Sequence, residues 1–173
     1  AGMDDVLSKP LAVPALTSVI KQYWDYQDEP DQATADVSEQ GPIREALLDI
    51  PMLQQYLDLV GPSLIHQSVA MFEQMMPGYL AVLDFNMTAR DQKGVAEEGH
   101  KIKGAASSVG LRHLQQVVQQ IQTTTLPAWW DNVQEWIDEL KHDWRHDIDV
   151  LKAWVAEQEK RARKQRAHAN AVR

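Results

Sequence analysis

The 173-residue sequence contains no cysteine, which excludes a disulfide framework, thiolate zinc sites and a cysteine nucleophile. Glycine and proline contribute only eight residues each, too few turn formers for a turn-rich all-β fold. No apolar run approaches the roughly 18 residues that span a bilayer. The N-terminus also lacks the basic, apolar and small-residue order of a signal peptide. No Walker loop or Gly-rich nucleotide motif occurs, so no ATP-dependent kinase activity is expected from this chain alone. Bases are in the minority: 17 Lys and Arg against 25 Asp and Glu leave a formal charge of −8. That balance argues against nucleic acid as the main partner. A cytoplasmic location is the default expectation, and Ala1-Gly2-Met3 reads as the edge of a fragment.

What is present is 44% hydrophobic residues, enough for one packed domain of ordinary size. The charge is unevenly spread. Residues 1–24 are neutral, residues 25–49 carry −7 with Arg44 as the one base, residues 50–156 carry −5 and residues 157–173 carry +4. The run DYQDEPDQATADVSEQGP, residues 25–42, is polar and poor in large apolar side chains, so ordering it would cost more entropy than burial returns. It anchors an expected acidic linker over 25–49, ahead of a domain at 50–156 and a basic tail at 157–173. Before the linker, Val6-Leu7-Ser8-Lys9-Pro10-Leu11 reads as a short strand ended by proline, followed by a helix through Leu16, Val19, Ile20 and Tyr23.

From Ile43 onward the apolar residues recur at helical spacing, and no strand alternation competes after residue 50. Ile50, Leu53, Tyr56, Leu57 and Val60 predict a short helix stopped at Gly61-Pro62. A second runs through Leu64, Ile65, Val69, Phe72, Met75, Met76 and on to Met87, with a bend expected at Pro77-Gly78. Asp91 is a suitable N-cap for a third, from about Gln92 to Val109, punctuated by Gly110. Leu111, Leu114, Val117, Val118 and Ile121 mark a fourth, and Trp129 to Val155 a long fifth. The expected fold is therefore all-α, an antiparallel four-helix bundle with an additional short N-terminal helix. Trp136, Trp144 and Trp154 read as packing residues of the last helix, and Met71-Phe72-Met75-Met76 as gap-filling core.

The run His100-Lys101-Ile102-Lys103-Gly104-Ala105-Ala106-Ser107-Ser108-Val109-Gly110 carries the chemistry. At about 100° per residue, Val95, Ile102, Ala106 and Val109 share one stripe and His100 lies about 200° from Ile102, facing solvent. Lys103 and Gly104, at i+3 and i+4, flank it. An exposed imidazole nitrogen is a nucleophile near neutral pH. Gly104 costs about 1 kcal/mol relative to Ala inside a helix, and in exchange it clears the surface one turn from His100 for a second protein. Lys103 places positive charge where an anionic group on His100 would sit. The small residues at 105–108 keep the remaining surface flat.

This run, with Leu114, resembles the signature of histidine-containing phosphotransfer (HPt) domains. The segments LLDIPMLQQYL, MMPGYL, EEGHKIKGAASSVGLRHLQQ and DWRHDIDVLKAWVA extend the likeness over about residues 46–156 and make it similar to the C-terminal region of hybrid sensor kinases. Met3-Asp4-Asp5-Val6-Leu7-Ser8-Lys9-Pro10 resembles the last strand of a receiver domain, whose lysine contacts a phosphoryl group. Because the receiver's aspartate and acidic pocket are missing from this chain, residues 1–24 are expected to be an orphaned receiver remnant. The resemblance implies a phosphorelay carrier. His100 would accept a phosphoryl group from a receiver aspartyl phosphate and pass it to the aspartate of a response regulator. The implied partners are the receiver domains of a response regulator and of the parent hybrid kinase. The chain itself needs no cofactor, Mg2+ being supplied by the partner receiver. If helices 92–109 and 111–122 form a hairpin turning near Leu111, Gln122 lies beside His100 and can accept from its Nδ1–H, leaving Nε2 free; the family often has a glutamine at this offset.

Two other readings compete. His142 and His146 have the i, i+4 spacing that can chelate zinc, although Arg145 between them opposes a cation. His113 is expected to serve packing or capping, and His66 and His168 have no partner pattern. A purely structural bundle is the second alternative, with Lys160-Arg161-Ala162-Arg163-Lys164-Gln165-Arg166 read as a solvated helix end favoured by the helix dipole.

Overall fold

The computed structural model describes residues 40–172. The receiver-like strand and helix expected within 1–24, and the linker as far as residue 39, lie outside the described residues. Six helices follow one another: α1 (Gln40–Leu47), α2 (Ile50–Val60), α3 (Pro62–Thr88), α4 (Gln92–Ser108), α5 (Arg112–Gln122) and α6 (Trp129–Ala171). No strand occurs among the described residues. The connections from α3 to α6 are three to six residues long, which makes neighbours antiparallel. Helix α4 packs on α3 and α5, α5 on α6, and α6 closes the bundle against α3. The described residues form the expected all-α bundle.

Local chemistry sets the boundaries. The Asp91 carboxylate accepts from the Gly94 N–H at 2.9 Å, capping α4. Gly110 ends the α4 turn with φ +72, and a Cβ there would come within 2.8 Å of Leu53. Its carbonyl accepts from the Asp49 N–H at 2.8 Å, so one glycine fixes both the α4–α5 turn and the seat of α2. Trp129 Nε1–H donates to the Ile121 carbonyl at 3.0 Å, satisfying one of the open carbonyls of α5.

The core stripe of α4 is buried as its periodicity requires: Val95, Ile102 and Ala106 are fully buried, as are Leu114, Val118 and Ile121 of α5 and Ile137, Leu140 and Leu151 of α6. Trp144 and Trp154 join the core, while Trp136 is partly buried against it.

The structure differs from the sequence expectation at the linker and in the methionines of α3. The linker expected over 25–49 ends earlier, because residues 40–49 belong to the bundle. There Leu48 is fully buried, and the Arg44 guanidinium makes two 2.7 Å hydrogen bonds to Glu157 on α6. A negative average had hidden a short amphipathic helix. Two short helices, not one, therefore precede the bundle. Helix α3 continues through Pro77 to Thr88, as the apolar spacing to Met87 requires. Of its methionines only Met76 is core; Met71 and Met75 are exposed, outside the stripe of Val69, Phe72 and Leu83. The basic tail is the solvated helix end its sequence suggests: it extends α6 to Ala171, its Ala, Lys, Arg and Gln being strong helix formers and its cations lying near the favourable end of the dipole.

Candidate functional site

The α4–α5 hairpin turns about its midpoint near Leu111, so residues whose numbers are equidistant from the turn face each other. His100 and Gln122 are such a pair, and His100 Nδ1 lies 3.3 Å from Gln122 Oε1. Lys103 and Gln119 are another, and the Lys103 ammonium donates to Gln119 Oε1. The two pairs are joined, because Gln122 Nε2–H donates to the same Gln119 oxygen at 2.9 Å. Gln119 Nε2–H in turn donates to Thr123 Oγ1 at 2.9 Å, and Thr123 Oγ1–H returns to the Gln119 carbonyl at 2.6 Å.

This network has a direction. An ammonium can only donate, so Gln119 must show Lys103 its oxygen. That oxygen draws the NH2 of Gln122, which turns the Gln122 carbonyl toward His100. An amide oxygen can only accept, so the hydrogen sits on His100 Nδ1 and the lone pair on Nε2. Lys103 thus selects the histidine tautomer through two glutamines. Gln119 and Thr123 did not emerge from the sequence, although the mirror relation that pairs 100 with 122 also pairs 103 with 119.

His100 is exposed at the rim of a concavity of about 520 Å³ lined also by Lys93, Ala96, Glu97, Lys101 and Gln122. Lys101 leans on the buried Glu98 carboxylate at 2.8 Å, and this hydrogen bond and charge raise its pKa. Gly104 is exposed, and a Cβ built on it meets nothing within 4 Å. No packing reason within the domain therefore explains a glycine there. The structure brings His100, Lys103 and Gln122 into one hydrogen-bonded group and leaves Gly104 as open surface beside it. Lys103 points at Gln119, and it is Lys101 and Lys93 that line the concavity. His142 and His146 are both exposed, and His142 approaches only Asp143, at 3.8 Å.

Arranged this way, the site can present one unprotonated nitrogen to a partner on a smooth, locally basic surface. It offers no enclosed substrate pocket. The Hpt domain family model matches residues 67–154 of the chain. The aerobic respiration control sensor protein ArcB of Escherichia coli K12 is 65% identical over 161 residues, which are 93% of this chain and 20% of that protein. The chain thus spans about a fifth of the length of the curated relatives it matches. The solved histidine-containing phosphotransfer domain of ArcB from E. coli superposes with a TM-score of 0.66 at 69% identity, covering 67% of this chain and 98% of that one. A solution structure of the same domain gives 0.65 at 66% identity, covering 71% and 98%.

Proposed function

From the premise that this chain belongs to the histidine-containing phosphotransfer (Hpt) family, and so carries a phosphorelay module of two-component signalling, we propose that His100 is its phosphoacceptor. The observation that carries the assignment is the grip of Gln122 on Nδ1, which leaves Nε2 bare and exposed.

The transfer balances on the imidazole. The Nε2 lone pair forms the N–P bond as the P–O bond to the donor aspartyl group breaks, and that electron pair leaves with the aspartate carboxylate. The ring gains positive charge, shared with Nδ1–H, where the Gln122 oxygen accepts it. Transfer to the next aspartate reverses the step. Lys103 acts through Gln119 and Gln122 by holding the tautomer, while Lys93 and Lys101 supply positive charge at the rim. Gly104 leaves room for the receiver. The receiver contributes the Mg2+ and the phosphoryl clamp.

By its likeness to ArcB, we assign the chain to the C-terminal segment of a hybrid sensor kinase, acting in the cytoplasm. Its donor is the kinase's own receiver and its acceptor a response regulator. Residues 1–24 then correspond to the end of that receiver, an assignment supported by Val6 to Pro10. The test is transfer of radiolabelled phosphate from a phosphorylated receiver. Wild type should acquire label in an acid-labile, base-stable form, and His100→Gln should acquire none while keeping its helical content. Equal labelling of both would overturn the assignment.

A further inference from the structure

Nine residues before Gln122, and half a turn round α5 from it, His113 faces α6. Three carboxylates on one stripe of α6 converge on it: Glu139, Asp143 and Asp147, spaced i, i+4, i+8. His113 Nδ1 lies 2.8 Å from Asp147 Oδ2, and His113 Nε2 lies 3.6 Å from Glu139 Oε1. One potential ligand atom from each of His113, Glu139 and Asp143 lies within 4.8 Å of the others. His113 and Asp143 are half-buried, and Glu139 closes the cluster from its exposed side.

We propose that His113, Glu139 and Asp143 form a site for a divalent transition metal of the zinc class, with Asp147 orienting His113 from behind. Asp147 is the observation that separates this cluster from an ordinary acidic patch. It is fully buried, and its second oxygen, Oδ1, has no hydrogen-bond partner. A buried carboxylate with an unused oxygen is costly unless a nearby positive charge offsets it. Its bonded oxygen accepts from His113 Nδ1–H and so turns the Nε2 lone pair outward, toward Glu139 and Asp143. This is how carboxylates hold metal-ligating histidines.

Charge points the same way. Three carboxylates face one imidazole, so even a protonated His113 leaves the cluster negative, and Asp143 has otherwise only the long contact to exposed His142. A dication takes the three carboxylates from −3 to −1, where a proton on His113 reaches only −2, and it replaces that proton. One nitrogen and two oxygens, with a water as fourth ligand, suit a tetrahedral zinc-class ion, whose ligand bonds are about 2.0–2.2 Å. The flexible Glu139 and Asp143 side chains can close the remaining gap. Such an ion would clamp α5, which carries Gln119 and Gln122, to α6.

The experiment is a titration of the full chain, first stripped with a chelator, with Co2+ and Zn2+. Binding is followed by the visible bands of tetrahedral cobalt and by the histidine NMR signals. The expected result is one ion per chain, with His113 the histidine that shifts and a higher melting temperature. Asp143→Asn and Glu139→Gln, which leave the core intact, should each weaken binding at least tenfold. Asp147→Asn should weaken it about 10- to 100-fold. His142→Gln/His146→Gln should bind as wild type. No binding by wild type, undiminished binding by Asp143→Asn, or loss of binding in the His142/His146 variant would each overturn the proposal.

Discussion

Two histidines, His100 on α4 and His113 on α5, are held in the same way by different acceptors. His100 Nδ1 meets an amide oxygen at 3.3 Å, and His113 Nδ1 meets a carboxylate oxygen at 2.8 Å. Both grips direct Nε2 away from the anchoring group. A neutral amide orients a ring without adding charge, whereas a carboxylate also draws a proton or a metal ion. The hydrogen bond and charge of Asp147 accordingly raise the His113 pKa, with Asp143 and Glu139 adding to the effect against partial burial. The first arrangement suits a nucleophile that must find a phosphoryl group in a partner. The second suits a group that holds a cation inside its own fold. The surroundings agree: Nε2 of His100 opens onto a surface with a glycine beside it, and that of His113 opens onto carboxylates.

The sharpest way to break this contrast is to give His100 the acceptor of His113. Gln122→Glu should slow phosphoryl acceptance at neutral pH by about tenfold, equivalent to about 1.4 kcal/mol, because a carboxylate favours the charged ring over one with a free Nε2. The loss should recover as the pH rises and Nε2 is freed again. Gln122→Ala should slow transfer at every pH. An NMR titration of the ring, run beside the transfer assay, checks both; an unmoved His100 titration in Gln122→Glu would separate the residue from the site.

A smaller effect is expected at Gly104, which tests whether the open surface serves a partner. Gly104→Ala should raise the stability of the isolated chain by about 0.5–1 kcal/mol, read as a higher melting temperature, because Ala is the better helix former and meets no neighbour. Gly104→Leu should leave the fold intact and slow transfer from the receiver several-fold. Free small phosphodonors should still label it at the wild-type rate.

The smallest effect is expected from the His113 pair in metal-free protein. The folded state favours the protonated ring. The pair with Asp147 therefore stabilises fully below the ordinary histidine value of 6.5, and its contribution fades as the pH rises through the raised folded value. Asp147→Asn keeps an acceptor but removes the charge, so urea unfolding should show a flatter pH dependence. The pH-dependent difference should stay below about 1 kcal/mol, because His113, unlike the fully buried Asp147, is partly exposed and screened.

The pattern of apolar residues was enough to read the bundle, the α4 cap at Asp91 and the turn at Gly110. In each case a local rule, periodicity or backbone conformation, coincides with the tertiary outcome. The same reading reached His100, because exposure follows from the helical angle between it and Ile102. It reached Gln122 because a tight hairpin makes contacts predictable from distance to the turn. It missed helix α1, whose docking depends on Glu157, more than a hundred residues away. The exposed side of Met71 and Met75 was also missed, since an apolar residue reads as core until the neighbouring helices are placed. The sequence points His113 to packing or capping, because nothing local links it to the carboxylates on α6.

The sequence by itself determined which segments are helical, which faces are apolar and which histidine stands on a polar surface beside a glycine. These follow from bonds and periodicities within a few residues. Only the tertiary structure decided the charge and orientation around each imidazole: which glutamine oxygen turns toward His100, and which carboxylates gather at His113. Those depend on side chains from two helices meeting at hydrogen-bond distance, and that distance is set by how the helices pack.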